Sequence, residues 1–276
     1  MRTQAEATAS EQTVARVSSH DGTEIAYWTS GVGPPLVLVH GTTADHTRWR
    51  PLLPYLEPHA TVHALDRRGR GASGETPAYD VAREFEDVDT VVDIVAADSG
   101  PVALLGHSYG GFCGLGAAGL TANLSALVLY EPAIGAAAPD DGLVERMEGL
   151  LAAGDREGAL ELMFREVVRM PDEEARRIRE QPSWQARVAA AHTIPRELRA
   201  VTPEALEAAR PEAVAVPVLL LAGGESPAYF RRDIDTVAAA VPDARVVVID
   251  GQQHVADVLA PEVFAGHVLR FVGEHR

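Results

Sequence analysis

Four stretches of the chain are apolar from end to end: Leu36–Val39, Val102–Leu105, Ala126–Tyr130 and Val216–Ala222. Continuous apolar runs of this length mark strands covered on both faces, as in a mostly parallel sheet. Thr13–Ser18 and Thr23–Thr29 instead alternate around Asp21-Gly22, which predicts a hairpin with a tight turn. Thr61–Leu65 and Arg245–Ile249 bring the expected strands to about eight. Between them the period changes. Glu84–Ala97 carries Phe85, Val88, Val91, Val92 and Val95 at helical spacing, and Phe230–Ala240 and Val263–Glu274 are amphipathic in the same way. Asp45–Glu57 puts Trp49, Leu52, Leu53 and Leu56 on one side, which predicts a helix interrupted by Pro51 and Pro54. Tyr109–Leu120, almost entirely Gly, Ala and Leu, reads as a helix packed very closely on the sheet, because glycine costs about 1 kcal/mol per helical position against alanine. Strand and helix alternate, so the expected class is α/β: a mostly parallel sheet flanked by helices, with right-handed crossovers.

The alternation stops between residues 134 and 212. Leu143–Ala153, Arg156–Met170, Asp172–Arg179, Trp184–His192 and Pro203–Ala209 are helical in pattern, punctuated by Pro171, Pro182, Pro195 and Pro211. An insertion of this length is too long for a plain loop. The expected organisation is a core of residues 13–133 and 213–276, an all-helical cap over 134–212, and a disordered tail over residues 1–12.

Composition narrows the function classes. Apolar residues make up 46% and charged residues 23% of the 276, as in a globular protein, and no run of 18 apolar residues suggests a membrane span. The net charge of −16, from 40 acids against 24 bases, repels phosphate backbones and anionic membranes. A single cysteine, Cys113, rules out an intramolecular disulfide. A cytoplasmic protein acting on a small molecule, without metal or cofactor and without nucleic-acid or membrane partners, is the expectation.

Chemistry concentrates where Val102–Leu105 runs into Gly106-His107-Ser108-Tyr109-Gly110. A serine on a sharp strand-to-helix turn stands clear of its backbone, and the flanking glycines leave room for the turn. Ser108 is the candidate nucleophile, and a serine hydroxyl needs a neighbouring base to take its proton. His254 follows the last expected strand. In a parallel sheet its loop shares the edge that carries Ser108, which makes it the candidate base. The orienting acid has two candidates, Glu131 at the end of Ala126–Tyr130 and Glu225 after Val216–Ala222. Candidate oxyanion donors are the amides of Tyr109, at the helix start, and Thr42, in the loop after Leu36–Val39. Two G-x-G-x-x-G strings, at Gly69–Gly74 and Gly114–Gly119, lack the strand–turn–helix context of a dinucleotide site.

With Ser108, His254 and the His40-Gly41 loop, the chain resembles the α/β-hydrolase-fold superfamily over about Leu36–Glu131 and Val216–Phe271. The Asp66-x-Arg-Gly-x-Gly-x-Ser turn is common there. The resemblance implies that Ser108 is the nucleophile, His254 the base, and Thr42 and Tyr109 the amide donors. Most members place an Asp three residues after the glycine ending the next-to-last strand, where this chain has Ser226. Some relatives place a Glu after the strand that follows the elbow helix, and Leu127-Val128-Leu129-Tyr130-Glu131 is similar to that arrangement, so Glu131 is preferred over Glu225. Members that open epoxides or remove halide carry Asp at the elbow. A serine there implies acyl transfer to water from an ester, lactone or thioester of a small-to-medium hydrophobic substrate. Trp184, His192 and Met163 of the cap are the candidate substrate contacts. The fold also hosts perhydrolases, lyases, cofactor-free oxygenases and ligand receptors, which form the alternative class.

Overall fold

Pro35–Val39 (β3) is buried at every residue because both faces of the sheet are covered. In the computed structural model, which describes residues 12–135 and 142–275, eight strands form one sheet in the order β1-β2-β4-β3-β5-β6-β7-β8. The others are Thr13–Ser18 (β1), Glu24–Gly31 (β2), Thr61–Leu65 (β4), Val102–His107 (β5), Leu124–Tyr130 (β6), Val218–Gly223 (β7) and Ala244–Ile249 (β8). β1 and β2 pair antiparallel, as do β2 and β4, and every later pair is parallel. The sheet is the mostly parallel α/β sheet read from the sequence.

Successive strand residues point to opposite faces, so each fully buried strand feeds two cores. Leu104, Leu127 and Leu129 join Phe85, Val88 and Phe112 on one side. Leu105, Val128 and Leu221 join Trp49, Phe264 and Phe271 on the other. Helix Val81–Ser99 and helix Tyr109–Ala118 form much of the first layer. Their contact explains the glycine-rich sequence: a Cβ on Gly116 would meet the Phe85 ring at 2.3 Å. The helix lies as closely on the sheet, where a Cβ on Gly110 would meet Val39 O at 2.3 Å and one on Gly114 would touch Leu104.

The stretch read as a helix over Asp45–Glu57 is instead a 3₁₀ turn, His46–Trp49, and a single helical turn, Leu53–Leu56. Pro51 and Pro54 each remove a backbone donor, which keeps the two pieces apart.

Between β6 and β7 the described residues are helical throughout, with no strand. Numbering helices from Leu53–Leu56 (α1), Val81–Ser99 (α2) and Tyr109–Ala118 (α3), this segment holds Leu143–Ala152 (α4), Arg156–Leu162 (α5), Asp172–Arg179 (α6), Trp184–Ala190 (α7), Ile194–Ala200 (α8) and Pro203–Ala208 (α9). The helix expected over Arg156–Met170 changes at Met163 into a wider-wound turn, Met163–Val168, and ends at Arg169 in the left-handed region. α8 was not expected, because Pro195 read as a break. It lies in the first turn, where a proline costs no hydrogen bond. Ala228–Ala240 (α10), Ala256–Leu259 (α11) and Pro261–Glu274 (α12) complete the chain. The tail expected over residues 1–12 falls outside the described residues except for Gln12. No helix among the described residues is long and apolar enough to cross a membrane.

Candidate active site

Because β3, β5, β6, β7 and β8 run parallel, the loops at their C-terminal ends meet along one edge. Ser108 follows β5 with φ 55° and ψ −124°, a conformation that costs a non-glycine residue on the order of 1–3 kcal/mol. The surroundings impose it. Ser108 N–H donates to Tyr130 O at 2.9 Å, and its carbonyl accepts from Gly111 N, Phe112 N and Ala133 N at 2.8, 3.1 and 3.1 Å. A Cβ on Gly106 would meet Gly110 O at 2.5 Å, and one on Gly110 would meet Val39 O and His40 O at 2.3 Å. The turn therefore admits no side chain at either flank. The loop after β3 lies on it directly: a Cβ on Gly41 would stand 2.9 Å from Ser108 Cβ.

Glu131 follows β6, also at positive φ (43°), and is wholly buried. His254 Nδ1–H donates to its Oε2 at 2.6 Å, and Gly223 N–H at the end of β7 donates to its Oε1 at 2.8 Å. Both oxygens of the carboxylate are thus engaged, and the imidazole tautomer that leaves Nε2 open is the one the pair favours. Phe230 stacks on the His254 ring with centroids 4.1 Å apart and planes 21° from parallel.

Glu225, the other candidate acid, is exposed; its backbone N–H donates to Gln252 O, and nothing directs its carboxyl toward His254. Ser226, in the same loop, has its Oγ buried without a partner.

Ser108, His254, Thr42 and Tyr109 open onto one cavity of about 300 Å³. Met163, Val167, Val168, Leu198, Val201, Tyr229 and Phe230 line its apolar part. Of the three substrate contacts read from the sequence, only Met163 is among the lining residues. Trp184 is half-buried against Phe164, with the Arg179 guanidinium over its ring. His192 is exposed, its Nδ1 donating to Ala189 O at 3.0 Å. Both are turned into the packing or the surface of the helical segment, away from the cavity lining.

Sequence reasoning missed Tyr130. Its hydroxyl donates to Gln253 O and accepts from Ala256 N–H at 3.0 Å, clamping the loop on both sides of His254. His107 adds a third hold, with Nε2 2.9 Å from His254 O. Burial, then the Arg48 charge, keeps the His107 imidazole well below its ordinary titration range. His40 is also held far below that range, by burial and then by the Arg67 charge; its Nδ1 faces Gly41 O and its Nε2 accepts from Arg67 N–H. The signal for Tyr130 was present in the sequence: a phenol immediately before the candidate acid, where an aliphatic residue would have served the core.

The Asp66 turn is structural. Asp66 Oδ2 accepts from Ala72 N–H and Trp28 Nε1, and Ser73 Oγ donates to Asp66 O, tying the turn to the β1–β2 hairpin. Among the described residues one cluster has the spacing of metal ligands, Asp45, His46 and Asp66. Its groups bond to one another and to the turn: Asp66 Oδ1 accepts from His46 N–H and faces Nδ1, and Asp45 Oδ1 accepts from Thr47.

Comparison with known proteins bears on the family and the fold. An alpha/beta hydrolase of Sphaerobacter thermophilus is 34% identical, with a TM-score of 0.77 over 94% of this chain and 100% of that one. Curated relatives match over shorter stretches. An (E)-2-((N-methylformamido)methylene)succinate hydrolase of Acinetobacter baylyi is 36% identical over 30% of this chain and 32% of its own. A pimeloyl-[acyl-carrier protein] methyl ester esterase of Xylella fastidiosa is 33% identical over 36% of this chain and 37% of its own. The alignments thus span only about a third of the length of these relatives. The model of the alpha/beta hydrolase family matches residues 36–267, most of the sequence, and the chain belongs to that family.

Proposed function

We propose that the protein is a serine hydrolase that cleaves an ester-type bond, ester, lactone or thioester, through an acyl-enzyme. The observation that carries this reading is the buried Glu131–His254 pair facing the same cavity as a serine held at positive φ. In the proposed reaction His254 Nε2 takes the proton of Ser108 as its Oγ attacks the acyl carbon. Glu131 holds the tautomer and stabilises the imidazolium that forms. The Thr42 and Tyr109 amides receive the developing oxyanion, with the positive end of the α3 dipole behind Tyr109. The imidazolium then protonates the leaving group. A water activated by the same histidine hydrolyses the acyl-enzyme in a second pass of the same steps.

The apolar lining favours a small-to-medium hydrophobic acyl or alcohol part, and the cavity volume lies at the lower end of ligand pockets. In this reading residues 13–133 and 213–275 are the catalytic core and the helices of 134–212 its cover. The partial relatives named for a methyl ester and for a succinate derivative support hydrolysis without naming this chain's substrate. The test is pre-steady-state hydrolysis of a short-chain 4-nitrophenyl ester. A stoichiometric burst of nitrophenolate that disappears in Ser108→Ala is the expected result. Turnover that persists in Ser108→Ala, or tight ligand binding with no turnover in the unaltered protein, would favour the lyase, oxygenase or receptor classes instead.

A further inference from the structure

One group of buried charges takes no part in the proposed reaction and joins the helical segment to the core. Arg67 and Arg70 on the loop after β4, Glu84 on α2 and Glu197 on α8 are all buried, Glu197 wholly so. Arg67 Nε and Nη2 donate to the two oxygens of Glu84 at 2.7 and 2.6 Å. The same Nη2 donates to Glu197 Oε1 at 2.9 Å, and Arg70 Nη2 pairs with that oxygen as well. Arg70 Nη2 also donates to Thr193 Oγ1, just before α8, at 2.7 Å. Two positive and two negative charges thus balance away from water, and Glu197 is the one supplied by the helical segment. Removing it would leave two buried arginines on one carboxylate, which is costly in a dry interior.

The network reaches two walls of the cavity. On the core side, Tyr79 OH donates to Glu84 Oε1 at 2.8 Å and lies 2.7 Å from Tyr109 OH. The Arg67 guanidinium stands 4.6 Å from the centroid of the Tyr109 ring, and Tyr109 lines the cavity. On the other side, Leu198 follows Glu197 directly and Val201 ends the same helix, and both line the cavity. Other helices of the segment are held less firmly: α9 buries no residue and α6 only Ile178. We propose that Glu197 is a positioning residue, the pin that holds α8 to the core and keeps the Leu198 and Val201 wall fixed relative to Tyr109. That wall then limits the length of the acyl or alcohol chain before any substrate arrives. Movement that admits substrate falls to the helices without this hold, because low local burial is what lets an element open. The proposal rests on the hydrolase reading and names the residue that sets its substrate length.

Amide hydrogen exchange, read peptide by peptide, tests the pin without any turnover. In the unaltered protein the amides of α8 should exchange roughly tenfold or more slower than those of α6 and α9, and equal rates would overturn the proposal. Glu197→Leu removes the acceptor, and α8 should then exchange roughly tenfold or more faster. The ratio of kcat/KM for 4-nitrophenyl octanoate over 4-nitrophenyl butyrate should rise roughly fourfold or more, the worth of one further buried CH₂ group. A merely destabilised protein loses both esters alike and leaves that ratio where it was. Glu197→Gln keeps an acceptor for Arg67 and Arg70, and its NH₂ takes the place of Oε2, which has no hydrogen-bond partner. It should therefore recover part of both effects. Unchanged α8 exchange in Glu197→Leu, or faster exchange with an unmoved ester ratio, overturns the proposal. If Glu197→Leu does not fold, Glu197→Gln decides: a smaller rise in both readouts is expected, and no rise in either overturns it. The two readings fail separately. Protected α8 in a protein that hydrolyses no ester sinks only the hydrolase. Ester turnover with α8 exchanging as fast as α9 sinks only the pin.

Discussion

Glu131→Gln is the substitution whose consequence the geometry fixes most narrowly. Glu131 accepts two hydrogen bonds, from His254 Nδ1–H at 2.6 Å and from Gly223 N–H at 2.8 Å, and both meet it away from water. Glutamine is nearly isosteric but offers one acceptor and one donor where two acceptors are needed. Its oxygen will stay on Gly223 N–H, which cannot change its proton, so its NH₂ will face His254 Nδ1. The imidazole can meet a donor only by moving its proton to Nε2, the atom that deprotonates Ser108 in the proposed reaction. The equivalent change in a serine protease triad costs about 10⁴ in kcat. The same order is expected here, about 5.4 kcal/mol at 1.36 kcal/mol per factor of ten. The assay is single-turnover acylation by a 4-nitrophenyl ester, alongside circular dichroism and a melting curve to establish the fold. Glu225→Gln is the control, and because that carboxyl is exposed its rate should stay within about twofold of the unaltered protein. A Glu131→Gln enzyme within tenfold of normal, or an equal loss in Glu225→Gln, would refute the reasoning.

Other outcomes follow from the same contacts. Tyr130→Phe strips the partners from Gln253 O and Ala256 N–H, costing about 1–3 kcal/mol, and should lower both the melting temperature and kcat as the His254 loop loosens. Met163→Ala should shift chain-length preference toward longer acyl groups, whereas Trp184→Ala and His192→Ala should leave KM nearly unchanged; an ester series from acetate to octanoate checks this. Stability should fall as pH drops below the ordinary histidine value of 6.5. His40 and His107 are held neutral when folded, so the unfolded chain binds more protons there, at up to about 1.4 kcal/mol per pH unit for each. Asp89, raised to about 6 by burial and then by Asp93, acts in the opposite direction over the same window. Urea midpoints at pH 7.5, 6 and 5 measure the balance, and a rising midpoint would contradict it.

The sheet was legible because its strands are buried on both faces, and nothing but an uninterrupted apolar run satisfies that requirement. Ser108 was legible because a glycine-flanked serine after such a run has few other uses. The choice between Glu131 and Glu225 needed more. Both end parallel strands on the same edge, and only burial and the contact to His254 Nδ1 separate them. The helical segment was read well in outline and poorly in detail. Proline there reads as punctuation, yet Pro195 lies in the first turn of a helix, which has no hydrogen bond for it to break. Trp184 and His192 were chosen for the chemistry their side chains carry. The cavity is instead lined by Val167, Val168, Leu198 and Val201, which in a sequence look like any packed core.

The central claim is that Ser108 is the nucleophile, and covalent labelling tests it most directly. The protein treated with a fluorophosphonate should gain one phosphonyl group, and peptide mass spectrometry should find it on the peptide containing Gly106–Gly111, at Ser108. Ser108→Ala should gain none and Glu131→Gln should react slowly. An unlabelled protein, or an adduct on any other residue, would contradict the account.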